Sequence, residues 1–185
     1  MTAVLTAAQR YHDMGLAVFS LPYGVKGDNV LWGSYRIAPS DAKEIVLDFQ
    51  NQRNGAVIAG RPSGNLLVLD ADTPSTYRET WNRLAGLGIA PWTIRRPNNG
   101  SEHDGGGKFV LRAPEAVKTT HLNGLDVLAE GAYTIAPPSA HPAGGSYYNE
   151  TGLTIFELPD LTTLPWLSLE PAPDTPSPTY RRLPD

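Results

Sequence analysis

The sequence predicts a mixed α/β fold, and three observations lead to this prediction. Segments with helical amphipathic spacing occur between short apolar runs that are typical of buried strands. After Gly86 the chain becomes rich in short strand candidates that are separated by Gly, Pro and Asn. At 185 residues, of which 41% are hydrophobic, the chain is long enough for one domain with a sizeable core.

Helices and strands alternate in the first part of the chain. Residues 5–14 have the spacing of an amphipathic helix that stops at Gly15, and residues 17–21 form a strand candidate. A second helix is predicted to begin with Ser40 as its N-cap and to continue through Phe49.

Two further strands are predicted at residues 55–60 and 66–71, with a Gly-rich turn between them. The shortness of that turn predicts that these two strands are neighbours in one sheet. Thr73 and Pro74 then have the order of an N-cap and a first helical residue, so a third helix is expected to end at Gly86. The later strand candidates are residues 108–112, 125–128, 133–136 and 154–156.

The strand at residues 66–71 ends in an acidic pair, Asp70 and Asp72. Residues two apart in a strand point to the same face, so the two carboxylates are expected to project together. Adjacent acids repel each other unless a cation lies between them, and oxygen ligands suit Mg²⁺ or Mn²⁺. The alternative is that Asp72 only opens the turn before the helix.

Composition excludes several classes of protein and site. The chain has no cysteine, which excludes disulfides and cysteine-ligated metal sites. The net charge of −4 argues against a strongly basic, indiscriminate nucleic-acid binder, although a local basic groove is compatible with it. No apolar run has the length of a membrane span and the first residues are unlike a signal peptide, so a cytoplasmic protein is expected, in a bacterial host if the chain is phage- or plasmid-encoded.

The end of the chain is rich in proline. Seven prolines fall among residues 159–185, and few aliphatic residues follow Leu169. We therefore predict a domain at residues 1–170 and a linker at residues 171–185. The apolar residues of the segment just before Leu169 are expected to pack on the domain: Leu161, Leu164, Trp166 and Leu167.

An ordered series of motifs surrounds the acidic pair. It consists of Asn54-Gly55-Ala56-Val57, Ser63-Gly64, Leu69-Asp70-Ala71-Asp72, Gly105-Gly106-Gly107-Lys108-Phe109, Arg112-Ala113-Pro114, Leu125-Asp126-Val127 and Ala136-Pro137-Pro138-Ser139 with His141-Pro142. In order and spacing this series resembles the bifunctional primase-polymerase (prim-pol) domain of the archaeo-eukaryotic primase superfamily, which is typical of phage and plasmid replication proteins.

The resemblance implies a fold, an activity and partners. The implied fold is an RNA-recognition-motif-like mixed sheet that carries the active site, with an N-terminal α/β lobe beside it. The implied activity is template-directed nucleotidyl transfer by a two-metal mechanism, with Mg²⁺ or Mn²⁺ held by Asp70, Asp72 and Asp126. Single-stranded DNA template and dNTP or NTP would be the partners, a helicase domain would follow the linker, and the isolated domain would be a monomer.

The resemblance also implies nucleotide-binding residues, with one departure. Counted back from Arg112-Ala113-Pro114, Lys108 stands where the family has a histidine that contacts the phosphates of the nucleotide. A lysine can meet a triphosphate as a point charge. His103 in the preceding loop is the alternative source of that histidine.

Three further residues are candidates for contacts with nucleotide or template. Ser139 and His141 lie in a loop that begins with two prolines, and they could donate hydrogen bonds there or simply belong to a strand connection. Lys26 could reach the nucleotide or the template, or could be an ordinary solvated lysine.

Two other functions remain open from the sequence. A haloacid-dehalogenase-type phosphatase also has a strand ending in Asp-x-Asp, but it expects Thr or Val where Pro74 stands and a later acidic pair that has no good candidate here. A non-catalytic module that binds nucleotide or DNA in replication is favoured by the missing histidine and opposed by the three retained acids.

Overall fold

The structure is a computed structural model, and it describes residues 2–26, 40–98, 100 and 104–174. In these ranges the chain forms three α-helices and ten β-strands, and the strands make two sheets. Neighbouring strands are antiparallel, apart from one parallel pair of two residues. The architecture is α+β, which confirms the predicted fold class.

The elements in chain order are α1 (Ala3–Asp13), β1 (Val18–Pro22), α2 (Ala42–Asp48), β2 (Arg53–Ile58), β3 (Leu66–Ala71), α3 (Pro74–Gly86), β4 (Trp92–Arg95), β5 (Gly107–Arg112), β6 (Thr120–Leu122), β7 (Leu125–Leu128), β8 (Tyr133–Ala136), β9 (Tyr148–Asn149) and β10 (Phe156–Glu157). Strands β4, β6 and β9 were not expected from the sequence, because each is short and lacks a clear apolar alternation.

The helix ends follow local capping chemistry. The hydroxyl of Thr73 accepts a hydrogen bond from the backbone of Thr76, and Pro74 opens α3, as the sequence predicts. The predicted N-cap of α2 is wrong by one residue. Asp41, rather than Ser40, caps this helix, because its carboxylate forms a reciprocal capping box with Glu44.

The small sheet has the strand order β1-β2-β8, and the large sheet has the order β6-β7-β3-β5-β4-β9 with β10 also paired to β5. The prediction that β2 and β3 are neighbours in one sheet is wrong. Strand β2 is paired on both sides by β1 and β8, and β3 is paired on both sides by β5 and β7. Neither strand has an edge left for the other, so the turn between them carries the chain from one sheet to the next.

Strand β3 is buried on both faces. Leu66 and Val68 belong to a core formed with the small sheet and α1, whereas Leu67 and Leu69 belong to a second core under α3. This double burial explains why β3 is a continuous apolar run rather than an alternating pattern.

The second core also contains part of the segment after β10. Leu164 and Leu167 are buried there, and Leu161 and Trp166 pack against it. The expectation that this apolar segment packs on the domain is confirmed.

Within the described residues, no helix is long and apolar enough to span a membrane.

Candidate active site

One row of paired residues crosses the large sheet near the end of β3. Asp70 is paired with Asp126 on β7 and with Lys108 on β5, and His121 on β6 is paired with Asp126. Directly paired residues of antiparallel strands project to the same face of a sheet. The register therefore places two acids, a lysine and a histidine side by side on one face.

This face is the one that the small sheet covers. Val68 lies two residues before Asp70 and packs in the core between the sheets, so Asp70 continues the same alternation at the margin of that core. The Nζ atom of Lys108 donates to Oγ1 of Thr134 on β8, at 2.6 Å, and this bond connects the large sheet to the small one. The acids therefore lie where the two sheets meet.

Asp70 and Asp72 converge on the guanidinium of Arg96. The Nη2 atom of Arg96 lies 2.5 Å from Oδ1 of Asp70 and 3.1 Å from Oδ1 of Asp72. The Nη1 atom of Arg96 also donates to the backbone oxygen of Asp72, at 3.2 Å. The two carboxylates thus project together, as the spacing predicts, and the cation between them in this structure is an arginine side chain.

Lys108 holds the other oxygen of Asp70. Its Nζ atom lies 3.2 Å from Oδ2 of Asp70, and the lysine side chain is almost fully buried. Burial lowers the pKa of Lys108, while the charge of Asp70 opposes that shift. For Arg96, burial alone would lower the pKa, but the carboxylates of Asp70 and Asp72 outweigh it and raise the pKa above the usual arginine value.

Asp126 has a different partner and a wetter environment. Its Oδ1 atom lies 3.0 Å from Nδ1 of His121, and the two side chains are 31% and 70% exposed. Although Asp126 is paired with Asp70 in the sheet, the structure brings its carboxylate to His121 rather than to Arg96.

The donor set fits a divalent cation in part. One oxygen of Asp70 and one of Asp72 converge on the same cationic atom, Nη2 of Arg96. Two carboxylates together with substrate phosphates are a common ligand set for Mg²⁺. Within the described ranges, however, no group of three His, Cys, Asp or Glu side chains is arranged to hold a metal ion. Asp126 would have to turn from His121 to complete a three-acid site.

Two predicted residues lie in segments that follow strands of the small sheet. The pKa of Lys26, which follows β1, is lowered by burial and then by the charges of Arg96 and Lys108. The pKa of His141, which follows β8, is lowered by burial and then by Lys26 and Arg96. The ring of His141 lies against the ring of Tyr147, with their centroids 5.3 Å apart, and Nζ of Lys108 lies 5.6 Å from the centroid of the same ring. The backbone oxygen of Lys26 accepts a hydrogen bond from the hydroxyl of Tyr133 on β8, at 2.9 Å.

Ser139 lies in the same loop as His141 but has a different environment. Its hydroxyl is fully buried, accepts from the backbone nitrogen of Gly55 at 2.8 Å and donates to the backbone oxygen of Gly55 at 3.1 Å. Asn54 adds two further bonds to the backbone of Ala140. In this structure Ser139 and Asn54 therefore fasten the loop to β2 and so position His141.

Gly106 provides the space in which Arg96 lies. A Cβ atom added at Gly106 would be 2.6 Å from the backbone oxygen of Ala71, 2.8 Å from that of Asp72 and 3.0 Å from Nη1 of Arg96. Any side chain there would push the glycine loop away from the end of β3. The glycine is thus explained by close packing against the acidic strand.

Three participants were missed by reasoning from the sequence. Arg96, Thr134 and His121 were not among the site residues predicted from the sequence. Arg96 follows β4 and His121 lies on β6, which are two of the unexpected strands. Recognising β4 would have provided the signal, because Arg96 lies two residues after Ile94, the partner of Lys108. His103 lies outside the described residues.

The chain matches the model of a known protein family. The family model Prim-Pol, described as the N-terminal domain of bifunctional DNA primase/polymerase, matches residues 8–161. The match spans all of the residues of the row and confirms the resemblance that the motif series indicates. No curated protein matches the chain closely enough to name a relative.

Proposed function

The chain belongs to the Prim-Pol family, and from this premise we propose that it joins nucleotides on a DNA template as a primase-polymerase. The family match supports a DNA primase/polymerase-type function in general. The observation that carries the specific proposal is the convergence of Asp70 and Asp72 on one cationic atom, beside Asp126 on the neighbouring strand.

We assign Asp70, Asp72 and Asp126 as the catalytic carboxylates that would hold Mg²⁺ or Mn²⁺. When bound, such cations would activate the 3'-hydroxyl of the primer and stabilise the charge of the leaving pyrophosphate. The protein itself supplies a fixed platform, because two of the acids belong to paired strands and Asp72 directly follows β3.

We assign the basic side chains around these acids to the nucleotide. Lys108 pairs with Asp70, His141 lies against the Tyr147 ring that Lys108 also approaches, and Lys26 follows β1. Cationic or hydrogen-bonding groups there would meet a triphosphate. Ser139 would act by holding the loop of His141, as its buried bonds to Gly55 support. His103 remains a candidate for the same role as Lys108.

The direct test is incorporation of labelled dNTP, and separately NTP, on a primed single-stranded template with Mn²⁺ or Mg²⁺. We expect incorporation by the unaltered protein and none by Asp72→Asn. Glu115→Gln is the matched control. Glu115 is an exposed acid that follows the last residue of β5, whereas Asp70 is paired with Lys108 near the first residue of that strand. Absence of incorporation by the unaltered protein, with either metal and either nucleotide, would overturn the proposal.

One observation favours a second candidate, a module that binds nucleotide or DNA without catalysis. Each oxygen of Asp70 is already paired with a buried cation, Oδ1 with Arg96 and Oδ2 with Lys108, so in this structure Asp70 serves as a counter-ion. Template or nucleotide binding that persists without any incorporation would favour this function. The family match argues against the phosphatase alternative.

We also propose that the catalytic domain includes residues 171–174, which the sequence assigns to the linker that would lead to a helicase domain. The backbone nitrogen of Ala172 donates to the oxygen of Ala116 at 2.7 Å, and Arg61 donates to the oxygens of Ala172 and Pro173. Truncation after Asp174 keeps these bonds, whereas truncation after Glu170 removes them. Thermal melting of the two truncated chains locates the boundary. Equal melting temperatures would place it at residue 170, as the sequence predicts.

A further inference from the structure

Arg96 occupies a position that a mobile surface arginine would not. Its side chain is 7% exposed, and three oxygens of Asp70 and Asp72 accept hydrogen bonds from it. Gly106 leaves the room that its guanidinium fills. Arg96 is thus a built-in counter-ion at the point where the two carboxylates converge.

A divalent cation bound by Asp70 and Asp72 would need this same point. The guanidinium and the metal would repel each other at such short range, so metal binding requires Arg96 to leave the carboxylates. Once displaced, the guanidinium needs another anion, because a buried cation without a partner is costly. The anion that belongs beside these residues under the proposed function is the triphosphate of the incoming nucleotide, which an arginine can bind with two parallel hydrogen bonds.

We propose that Arg96 competes with the divalent cation for Asp70 and Asp72, and that metal binding transfers its guanidinium to the nucleoside triphosphate. This inference rests on the proposed function, since it assumes that the acids take a metal. It predicts that metal and nucleotide each strengthen the binding of the other, because Arg96 leaves the acids at the lowest cost when both ligands are present.

The first experiment measures binding of Mn²⁺ alone, by electron paramagnetic resonance of the free ion. Arg96→Gln removes the charge while keeping a hydrogen-bonding side chain, and we expect it to bind Mn²⁺ about tenfold more tightly than the unaltered protein. Asp72→Asn should remove this binding in both backgrounds. Equal or weaker Mn²⁺ binding by Arg96→Gln, or no binding by either protein, overturns the competition.

Arg95→Gln is the matched control. Arg95 adjoins Arg96 in the chain but pairs with Glu150, at 3.2 Å, and lies over the ring of Tyr77. Its replacement changes the total charge by the same amount, so an effect of general charge would appear in both variants. Arg96→Lys, which keeps the charge, should bind Mn²⁺ as weakly as the unaltered protein. Melting curves without metal establish that each variant is folded.

The second experiment measures the affinity for a non-hydrolysable dNTP analogue at saturating Mn²⁺. We expect Arg96→Gln to lose about tenfold in affinity, since one charge-assisted contact to phosphate is removed. Unchanged affinity would overturn the transfer to the triphosphate. Both readouts are binding measurements, so they are independent of nucleotide incorporation. Competition between Arg96 and Mn²⁺ without any incorporation would reject the proposed function alone. Incorporation without this competition would reject the present inference alone.

Discussion

Asp70 and Asp126 are partners in adjacent strands of one sheet, yet the protein treats them differently. Asp70 is 15% exposed and is held by two buried cations. Asp126 is 31% exposed, and its partner His121 is mostly exposed. The pairing of the strands makes the two acids neighbours, but the cover provided by the small sheet decides how strongly each one is bound.

The two acids differ in how firmly their charge is held by neighbouring groups. A buried ion pair is costly to break from one side, because the remaining partner stays desolvated, whereas an exposed pair contributes little. Asp70 is therefore part of the framework as well as a candidate ligand. Asp126 is free to change partner at small cost, which suits an acid that has to turn toward a metal.

The largest effect is expected from Asp70→Asn. The sequence alone favours the view that the paired acids are exposed, so that removing one leaves the fold intact. The structure corrects this for Asp70, because the variant leaves Lys108 and Arg96 buried without their shared carboxylate. We expect loss of incorporation and a loss of about 3 kcal/mol in the free energy of unfolding. Urea denaturation beside the incorporation assay measures both, and an unchanged unfolding midpoint would contradict the framework role.

Asp126→Asn should affect activity but, unlike Asp70→Asn, hardly affect stability. Incorporation is expected to be lost, because the third carboxylate is removed. The free energy of unfolding should change by less than about 1 kcal/mol, because His121 is largely exposed and Asp126 is partly exposed, so water screens the pair. The same denaturation series checks this expectation. Full activity would remove Asp126 from the site. A large destabilisation would show that the pair with His121 contributes to the stability of the fold.

Lys108→Met tests the basic side of the row. Methionine has a similar volume without charge, so affinity for a nucleoside triphosphate should fall about tenfold while template affinity changes little. Because burial lowers the pKa of Lys108, the unaltered protein should lose this affinity as the pH rises, beginning below the usual lysine value of about 10.4. Protonated lysine binds the anion and neutral lysine does not, so the variant should show a smaller decline. The remaining decline comes from Lys26, whose pKa is also lowered by burial.

Fluorescence anisotropy with a labelled dATP analogue, measured from neutral to alkaline pH, gives both quantities. The lowered pKa of His141 keeps that residue neutral over this range, so it does not mimic the effect. A parallel decline in the unaltered protein and in Lys108→Met would assign the pH dependence to another group.

His121→Gln should have the smallest effect. The histidine side chain is 70% exposed, so its pair with Asp126 is screened by water and the free energy of unfolding should change by about 0.5 kcal/mol or less. Incorporation should be retained, since Asp126 loses only a surface partner. Loss of activity, with normal melting, would mean that His121 itself takes part in the reaction.

The sequence was sufficient for features that depend on local chemistry. Thr73 and Pro74 mark the start of α3, and the apolar run of β3 ends with two acids on one face. The positions of β7 and β8 also follow from their short apolar runs bounded by turn residues. In each case the signal lies within a few adjacent residues, because capping, alternation and turn formation are short-range effects.

Only the tertiary structure decided which cation meets the acids. Arg96 and Asp70 are 26 residues apart in the chain, and β4, after which Arg96 lies, is too short to be recognised by periodicity. The placement of β2 and β3 in separate sheets likewise depends on which strands pair with each of them. Strand pairing and burial result from packing among distant segments. Residue types and spacing therefore identified the acids, whereas the fold determined that Arg96 and Lys108 hold Asp70 and that Asp126 remains partly exposed.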